Sequence, residues 1–289
     1  MTLLAVPNVS EGRDASTVAA LRAAFAATGA RVLDTHVDPD HDRSVFSLAA
    51  EPGALAAALV SGGRVAVERI DMRRYRGAHP SVGALDVAPV VHLDGSRRGA
   101  ACAEALVAAD ELARQLGLPV LLYGVLAGDR ARAELRRGGL PELARRLQRG
   151  ELSADFGPSR AHPSAGVTLV AARSPLVAFN LELAPPAGAA EARAIAAAIR
   201  DGGPEGVAGV RAIGLWLTER GVAQVSLNVE DPSATPLSLL VEAVRRHAPV
   251  SAAELVGLAP RAALRGLPGD VAIRGFDPAK QVIENALGL

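Results

Sequence analysis

One histidine in a turn is well suited to proton transfer. His79 is followed by Pro80, which disfavours the helical conformation for the preceding residue and so predicts an extended or turn segment. Gly77 and Gly83 flank the histidine and allow close approach of another backbone or of a ligand. An imidazole titrates near neutrality and can act as a general acid or base. The alternative is a histidine that only hydrogen-bonds within its own loop.

A second polar segment reads HVDPDHDR and combines imidazoles with carboxylates. Both groups are metal ligands, so His36, His41 and His79 could together hold a divalent metal in an amidohydrolase. The proline and the turn could equally keep these side chains apart. For Asp40 and Asp42, the alternative to a direct role is a solvated hairpin tip.

Two loops could bind an anion. The loop Asp155–Gly166 is rich in glycine, proline and hydroxyl residues, whose N–H and O–H groups could bind an anion or a heteroaromatic amide. The loop Asn8–Arg13 precedes a predicted helix, and the N–H groups at the start of that helix could hold a carboxylate with help from Arg13. The alternatives are a loop that only connects two lobes and an ordinary capping loop.

The elements that must position these groups follow one order twice: strand, helix, strand, strand, helix, strand. In the first half an additional helix, strand and helix follow. The predicted strands are 2–9, 31–37, 43–50, 84–93, 119–123, 176–183, 210–217, 222–229 and 250–255. The predicted helices start near Asp14 or Ser16 and end at Thr28, and cover 54–73 (kinked at Gly62-Gly63), 97–117, 130–150, 189–200, 236–247 and 276–286.

This order predicts an α+β protein of two ferredoxin-like (βαββαβ) subdomains. Each would have a mainly antiparallel sheet with helices packed on one face, and a ligand cleft would lie between the two lobes. The predicted boundary lies near Ser174, which gives domains 1–174 and 175–289. The repeat is one of element order and not of residues.

Composition argues against several classes of protein. The 31 basic and 31 acidic residues give a net charge of zero, which argues against nucleic acid as a partner. Cys102 is the only cysteine, which excludes an intrachain disulfide and a cysteine metal cluster. We find no apolar run of membrane-spanning length, no signal-peptide pattern and no phosphate-binding or dinucleotide fingerprint. We therefore expect a cytoplasmic protein with no membrane partner.

Several segments together resemble the formiminotransferase family, the glutamate formimidoyltransferases. They occur in the family's order and extend over nearly the whole chain. The segments are Val6–Arg13, His79–Val87, Asp155–Ser159 with Pro163 and Gly166, Ala223–Ser226 with Asn228, Leu255–Leu258, and Phe276–Pro278.

The resemblance implies transfer of a formimidoyl group between N-formimidoyl-L-glutamate and tetrahydrofolate, a reaction of histidine degradation and one-carbon metabolism. Tetrahydrofolate is then a co-substrate, and no metal is implied. A homodimer is expected, as is a separate cyclodeaminase, because the chain stops before the cyclodeaminase domain that is fused on in animals. The alternatives are a metal-dependent amidohydrolase, a formyltransferase acting on N-formyl-L-glutamate, and a folate- or anion-binding protein without catalysis.

The resemblance also implies roles for individual residues. His79 matches the family's general acid/base, and we expect His36 or Asp38 to orient or tune it. Ala165 stands where the animal enzymes carry a tryptophan, and His36 stands where they carry an aspartate. The residues expected to bind substrate or folate are Asn8, Arg13, Asp38, Arg43, Gly157, Pro158, Ser159, Arg160, Ala161, His162, Pro163, Ser164, Ala165 and Gly166.

Overall fold

The computed structural model describes residues 2–289 and divides into two compact units. The first unit ends at Ser174 and the second begins at Pro175. Each unit combines a sheet with helices, as the α+β prediction requires. No helix within residues 2–289 is long and apolar enough to cross a membrane.

The N-terminal unit is built on a seven-stranded sheet. Its strands are β1 (Leu3–Ala5), β2 (Asn8–Val9), β3 (Arg31–Asp38), β4 (Arg43–Ala50), β5 (Leu85–Val91), β6 (Val120–Leu122) and β7 (Thr168–Arg173). Its helices are α1 (Ala15–Ala26), α2 (Leu55–Arg69), α3 (Arg98–Leu116), α4 (Arg132–Leu135) and α5 (Gly139–Gln148).

The first part of this sheet has the predicted ferredoxin-like order. β3 pairs with β4, β4 pairs with β1 and β2, and both of these pair with β5, all antiparallel. β7 and β6 then extend the sheet beyond β5, and both of these pairings are parallel. The unit is therefore a mixed sheet in which the His79 segment leads into a central strand.

Several predicted elements differ from the observed ones. β7 was not predicted at all, and the predicted first strand divides at Val6-Pro7 into β1 and β2. The predicted helix 130–150 is two helices, because Gly138, which precedes α5, and Gly139, its first residue, both take positive φ angles. The predicted helix 276–286 is likewise two short helices, α8 (Pro278–Gln281) and α9 (Ile283–Leu287).

Helices cover both faces of the extended end of the sheet. On one face, α1, α2 and α3 pack against a core that includes Val170 and Ala172 of β7. On the opposite face, Leu143 and Leu147 of α5 pack against Leu169 of β7 and its neighbours. The predicted arrangement, with helices on one face only, does not hold here because α5 adds a second layer.

Helix α2 runs through the glycine pair without interruption. A Cβ atom on Gly62 would lie 2.1 Å from the ring of Phe25, which is wholly buried and stacks at 4.9 Å, between ring centroids, on Phe46. The glycine therefore allows α1 and α2 to pack closely. Its role in the structure is this close packing.

Gly62→Ala is expected to destabilise the protein by about 1–3 kcal/mol, because Phe25 has no free space into which to move. Gly99→Ala is the matched control, since Gly99 lies in α3 with nothing within 4 Å of a Cβ atom there. Alanine at that exposed helical position is expected to leave stability unchanged or raise it by up to about 1 kcal/mol. Urea unfolding of both variants tests this, and equal effects would contradict it.

The C-terminal unit repeats the ferredoxin-like order. Its elements are β8 (Val177–Leu183), α6 (Ala189–Ile199), β9 (Val210–Leu217), β10 (Val222–Val229), α7 (Leu237–Arg245) and β11 (Val250–Val256), followed by α8 and α9. The four strands pair antiparallel in the order β11-β8-β10-β9. Alternate residues of β8, from Val177 to Leu183, are buried in the core formed with α6 and α7.

The other side of the β8 pleat carries polar residues that are paired within the unit. Glu182 is 1% exposed and forms ion pairs with Arg220 at 3.1 Å and Arg274 at 2.6 Å. The Asn180 side chain donates a hydrogen bond to Glu254 at 2.9 Å. Buried charges are tolerated only with such partners. Pro185-Pro186 follows β8 in a loop, as predicted.

Candidate functional site

His79 lies in the segment that connects α2 to β5, in a bend and not in a helix. The Tyr75 hydroxyl lies 2.8 Å from the carbonyl oxygen of His79 and 2.9 Å from that of His41, and its proton can bond either. A Cβ atom on Gly77 would lie 2.2 Å from the His41 carbonyl oxygen. The glycine predicted to allow close backbone approach therefore does so, and it joins the His79 segment to the β3–β4 turn.

The β3–β4 turn packs against His79 and is buried. The Ala78 N–H donates to the Asp40 carbonyl at 3.0 Å, and the rings of His41 and His79 lie 5.9 Å apart between centroids. Asp38 accepts a hydrogen bond from the His41 N–H at 2.8 Å and so shapes the turn. The solvated tip considered above is wrong for Asp40, which is only 5% exposed.

A cavity of about 670 Å³ opens beside His79, within the N-terminal unit. A volume of this size suits a small organic ligand. One wall is the segment from Met72 to Ser81, and the second is the start of α5. The third belongs to the loop 157–166, which is predicted to bind folate and is called the predicted folate loop below. The polar residues along its wall are Arg73, Tyr75, Arg76, His79, Ser81, His162 and Ser164.

The tip of the predicted folate loop is a tight, self-bonded turn. His162 and Gly166 exchange backbone hydrogen bonds of 2.9 and 3.1 Å. The His162 Nδ1 accepts from the backbone N–H groups of Ser164 at 3.3 Å and Ala165 at 3.0 Å. In the neutral ring the proton must then sit on Nε2. His162 therefore offers one N–H donor at the cavity wall.

Only part of the predicted folate loop lines this cavity. Residues 161–164 form its wall, whereas residues 157–160 are exposed and lie outside it. Ala165 is 1% exposed in the hydrophobic core, and its carbonyl accepts from the Ala84 N–H at 2.8 Å. Gly166 bridges to Gly83, where a Cβ atom would lie 2.1 Å from the Val167 carbonyl oxygen. We therefore assign Ala165 and Gly166 a structural role instead of the predicted contact with folate.

A buried ion cluster lies beside His79. Asp86 is wholly buried, and its Oδ2 accepts from Arg43 at 2.8 Å and also from Arg136. Arg43 in turn donates to Asn8 Oδ1 from Nε at 3.0 Å and from Nη2 at 2.8 Å. Burial would raise the pKa of Asp86, but the two arginines hold that pKa below its ordinary value. Asn8 and Arg43 are thus parts of one network that fixes the guanidinium groups near His79.

The environment of His79 favours the neutral imidazole. Burial lowers its pKa well below the ordinary value of 6.5, and the positive charges of Arg43 and Arg136 lower it further. This direction departs from the sequence-based expectation of titration near neutrality. The causes are burial of the ring first, and then the positive charges of arginines that lie far from His79 in sequence.

The predicted orienting residues, His36 and Asp38, do not bond to the Nδ1 atom of His79. The His79 Nδ1 is buried and has no hydrogen-bond partner among residues 2–289, so neither His36 nor Asp38 bonds to it. His36 lies on β3 opposite Val45, and it does not line the cavity. The imidazole that does lie close to the His79 ring is that of His41, in the turn that follows β3.

The remaining sequence-predicted residues take other positions. Arg13 is exposed, and its Nε donates to the Pro39 carbonyl at 3.0 Å, outside the cavity. His36, His41 and His79 do not bring three ligand atoms within 4.8 Å of one another among residues 2–289. The metal-dependent amidohydrolase that needs these three imidazoles together is therefore not supported.

Two members of the site were missed by reasoning from sequence. Arg136 gave no signal, because it lies in an arginine-rich segment with many similar residues. Asp86 did give one: it is a single carboxylate inside an otherwise apolar strand, and a buried carboxylate requires a cationic partner. The strand could therefore have predicted a buried arginine, although not which one.

Comparison with known proteins matches both units to one family. Residues 2–173 match the model described as the formiminotransferase domain, N-terminal subdomain, and residues 178–267 match the one described as the formiminotransferase domain.

Curated relatives resemble the chain over most of its length. The Glutamate formimidoyltransferase of Streptococcus pyogenes serotype M1 is 35% identical over 98% of this chain and 97% of its own. The protein of the same name from Thermoplasma acidophilum is 33% identical over 90% of this chain and 88% of its own. The Formimidoyltransferase-cyclodeaminase of Rattus norvegicus is 36% identical over 90% of this chain. The chain spans 50% of that rat protein's length.

Proposed function

This chain belongs to the formiminotransferase family, and from that premise we propose that it transfers a formimidoyl group between N-formimidoyl-L-glutamate and tetrahydrofolate. Tetrahydrofolate is the co-substrate, and His79 is the general acid/base. The observation that carries the proposal is the cavity, which brings together His79 and the loop 161–164. The names of the two prokaryotic relatives, Glutamate formimidoyltransferase, support the same donor.

The neutral imidazole suits the first half of the reaction. An amine nitrogen of the acceptor attacks the formimidoyl carbon, a C–N bond forms, and the attacking nitrogen must lose a proton. His79 takes that proton as a base, because burial and the neighbouring arginines keep its pKa low and its ring neutral beforehand.

The same environment assists the second half. The imidazolium formed by proton uptake lies beside the positive charges of Arg43 and Arg136, which makes it a stronger proton donor than an ordinary imidazolium. It returns the proton to the nitrogen of the departing glutamate as the old C–N bond breaks. One bond forms, one breaks, and His79 ends neutral, so neither a metal nor a redox cofactor is required.

The loop 161–164 and the ion cluster supply the binding groups. His162 offers its Nε2–H, and Ser164 its hydroxyl, to the polar edge of a pterin at the cavity wall. Arg43 contributes positive charge toward the carboxylates that both substrates carry. We further propose a cytoplasmic homodimer, with the next step carried out by a separate cyclodeaminase; the family resemblance supports these three points.

The test is a transfer assay on the purified chain with N-formimidoyl-L-glutamate and tetrahydrofolate, and with N-formyl-L-glutamate in parallel. We expect saturable transfer from the formimidoyl donor. For the formyl donor we expect kcat/KM to be at least about tenfold lower, which corresponds to a difference of about 1.4 kcal/mol in transition-state binding between the two donors. Tetrahydrofolate binding without transfer from either donor would contradict an enzymatic role. Faster transfer from the formyl donor would show that N-formyl-L-glutamate, and not N-formimidoyl-L-glutamate, is the preferred donor.

A further inference from the structure

The buried charges beside His79 do not balance. Arg43 and Arg136 bind the same oxygen atom of Asp86, so two guanidinium groups share one carboxylate. Arg43 places its other donors on Asn8, a neutral amide. The cluster therefore keeps an excess positive charge in a buried setting, where an uncompensated charge is costly.

Two polar atoms in the same cluster have no partner. The Arg136 Nε and the Tyr123 hydroxyl are buried without a hydrogen bond among residues 2–289. The two side chains lie close enough that Tyr123 affects the pKa of Arg136, which burial lowers to about 10. Arg136 is still charged at neutral pH. Buried polar groups are nearly always hydrogen-bonded in native proteins, so an unpaired pair of donors needs a partner such as water or an anion.

A further arginine lies close to Arg136, and the backbone of Arg136 adjoins the cavity wall. Arg132 lies one turn before Arg136, and its positive charge acts on both Arg136 and His79. The Gly139 N–H donates to the Arg136 carbonyl at 2.9 Å, and Gly139 itself lines the cavity. Arg136 is thus placed next to the wall that His79 shares.

We propose that Arg132, Arg136 and Tyr123, which lie behind the cavity wall at Gly139, form a carboxylate subsite near His79 that binds a carboxylate of the amino-acid donor. The assignment rests on the proposed function for the identity of the donor, but the subsite itself follows from the excess charge and the unpaired donors. A carboxylate fits because its two oxygen atoms accept hydrogen bonds from a guanidinium group and a phenol together. The three residues then fix the position of the formimidoyl carbon relative to His79.

Binding of a carboxylate there also changes the proton affinity of His79. The groups that face His79 are Arg43 on β4, His41 in the β3–β4 turn, and Arg132 and Arg136 around α4. Asp86 on β5 pairs with two of these arginines, and Tyr75 bonds the His79 carbonyl. Since positive charges lower the pKa of His79, a bound anion must raise it. Binding of the donor therefore makes His79 a stronger base for the reaction of that donor.

The test uses glutarate, a dicarboxylate that cannot transfer a group, with the whole chain. We expect glutarate to bind and to move the NMR titration of the His79 ring to higher pH, with the signal assigned by its absence in His79→Gln. Arg132→Gln is expected to weaken glutarate binding by about tenfold and Tyr123→Phe by about fivefold, as for a charged and a neutral hydrogen bond. Neither variant breaks the ion pairs of Asp86.

Arg137→Gln and glutaramide are the controls. Arg137 is the exposed neighbour of Arg136, so its variant should bind glutarate as the wild type does. Glutaramide has the same length but no charge and should leave the His79 titration unchanged. The subsite is overturned if glutarate does not shift the His79 titration, or if both subsite variants bind glutarate normally. These readouts need no turnover, so they are independent of the transfer assay.

Discussion

His79→Ala is expected to lower kcat by about two to four orders of magnitude, which is the usual contribution of a positioned general acid/base. The side chain lines the cavity and is the only one there that the chemistry assigns to proton transfer. Affinity for tetrahydrofolate should largely survive, because the loop 161–164 is bonded to itself and to Met72 and not to the His79 ring. Steady-state kinetics and a folate-binding titration together measure both effects.

His92→Ala is the matched control for this loss. His92 belongs to the same unit, lies outside the cavity, and bonds through Nδ1 to the Asp94 carbonyl at 3.0 Å. Its variant should retain wild-type turnover. If His79→Ala turned over within a factor of a few of the wild type, His79 would not be the proton-transfer group.

Asp86→Asn is expected to lower the free energy of unfolding by about 3–5 kcal/mol, the usual cost of removing one partner from a buried ion pair. The carboxylate is wholly buried and neutralises Arg43 and Arg136, which are themselves largely shielded from water. An amide keeps the shape but leaves both cations without a counter-charge. Urea unfolding of the variant and the wild type gives the difference directly.

Asp71→Asn serves as the solvent-accessible counterpart. Asp71 lies in the same unit and pairs with Arg73 at 2.7 Å, and the Arg73 side chain is mostly solvent-exposed. Solvent screening makes such pairs weak, so no measurable change in the midpoint of unfolding is expected. An Asp86 variant as stable as this control would show that the buried cluster does not stabilise the fold.

The pH dependence of the Asp86 effect has a definite sign. The arginines hold the folded-state pKa of Asp86 below its unfolded value of 3.8, so the folded state binds this proton less readily. The stabilisation from Asp86 is then fully present at pH values well above 3.8 and is lost as pH falls through the folded pKa. The stability difference between wild type and Asp86→Asn should therefore narrow in acid. A constant difference down to low pH would contradict the assigned pairing.

Local sequence signals predicted most of the fold. The two βαββαβ orders follow from strand and helix patterns, and Asp14 caps α1 through the Ser16 N–H at 2.9 Å, as its position before the helix suggests. The predictions of the fold that were wrong concern features that depend on contacts between residues far apart in sequence. Gly62 lets Phe25 of another helix fill the space beside it, and β7 pairs in parallel with two strands that are far away in sequence.

The candidate site shows the same division. The turn at His79 and its glycine neighbours were predictable from Pro80 and from glycine chemistry. The ion pairs of Asp86 span 43 residues to Arg43 and 50 residues to Arg136, so no local pattern could select these partners. The pKa of His79 is lowered by burial and then by Arg43 and Arg136. Neither the burial nor these arginines can be read from the residues around His79, so the sequence identified the residue but not the direction of its pKa shift.

The bridge between Gly83 and Gly166 ties the two sides of the cavity to one piece of sheet. The Ala84 N–H donates to the Ala165 carbonyl at 2.8 Å, and the Val167 N–H donates to the Val82 carbonyl at 2.9 Å. β5 and β7, which follow these residues, are adjacent parallel strands. The segment that follows His79 and the loop 161–164 are thereby held beside each other by two neighbouring strands. We therefore expect a substitution that adds a side chain at Gly83 or Gly166 to disturb both walls of the cavity at once.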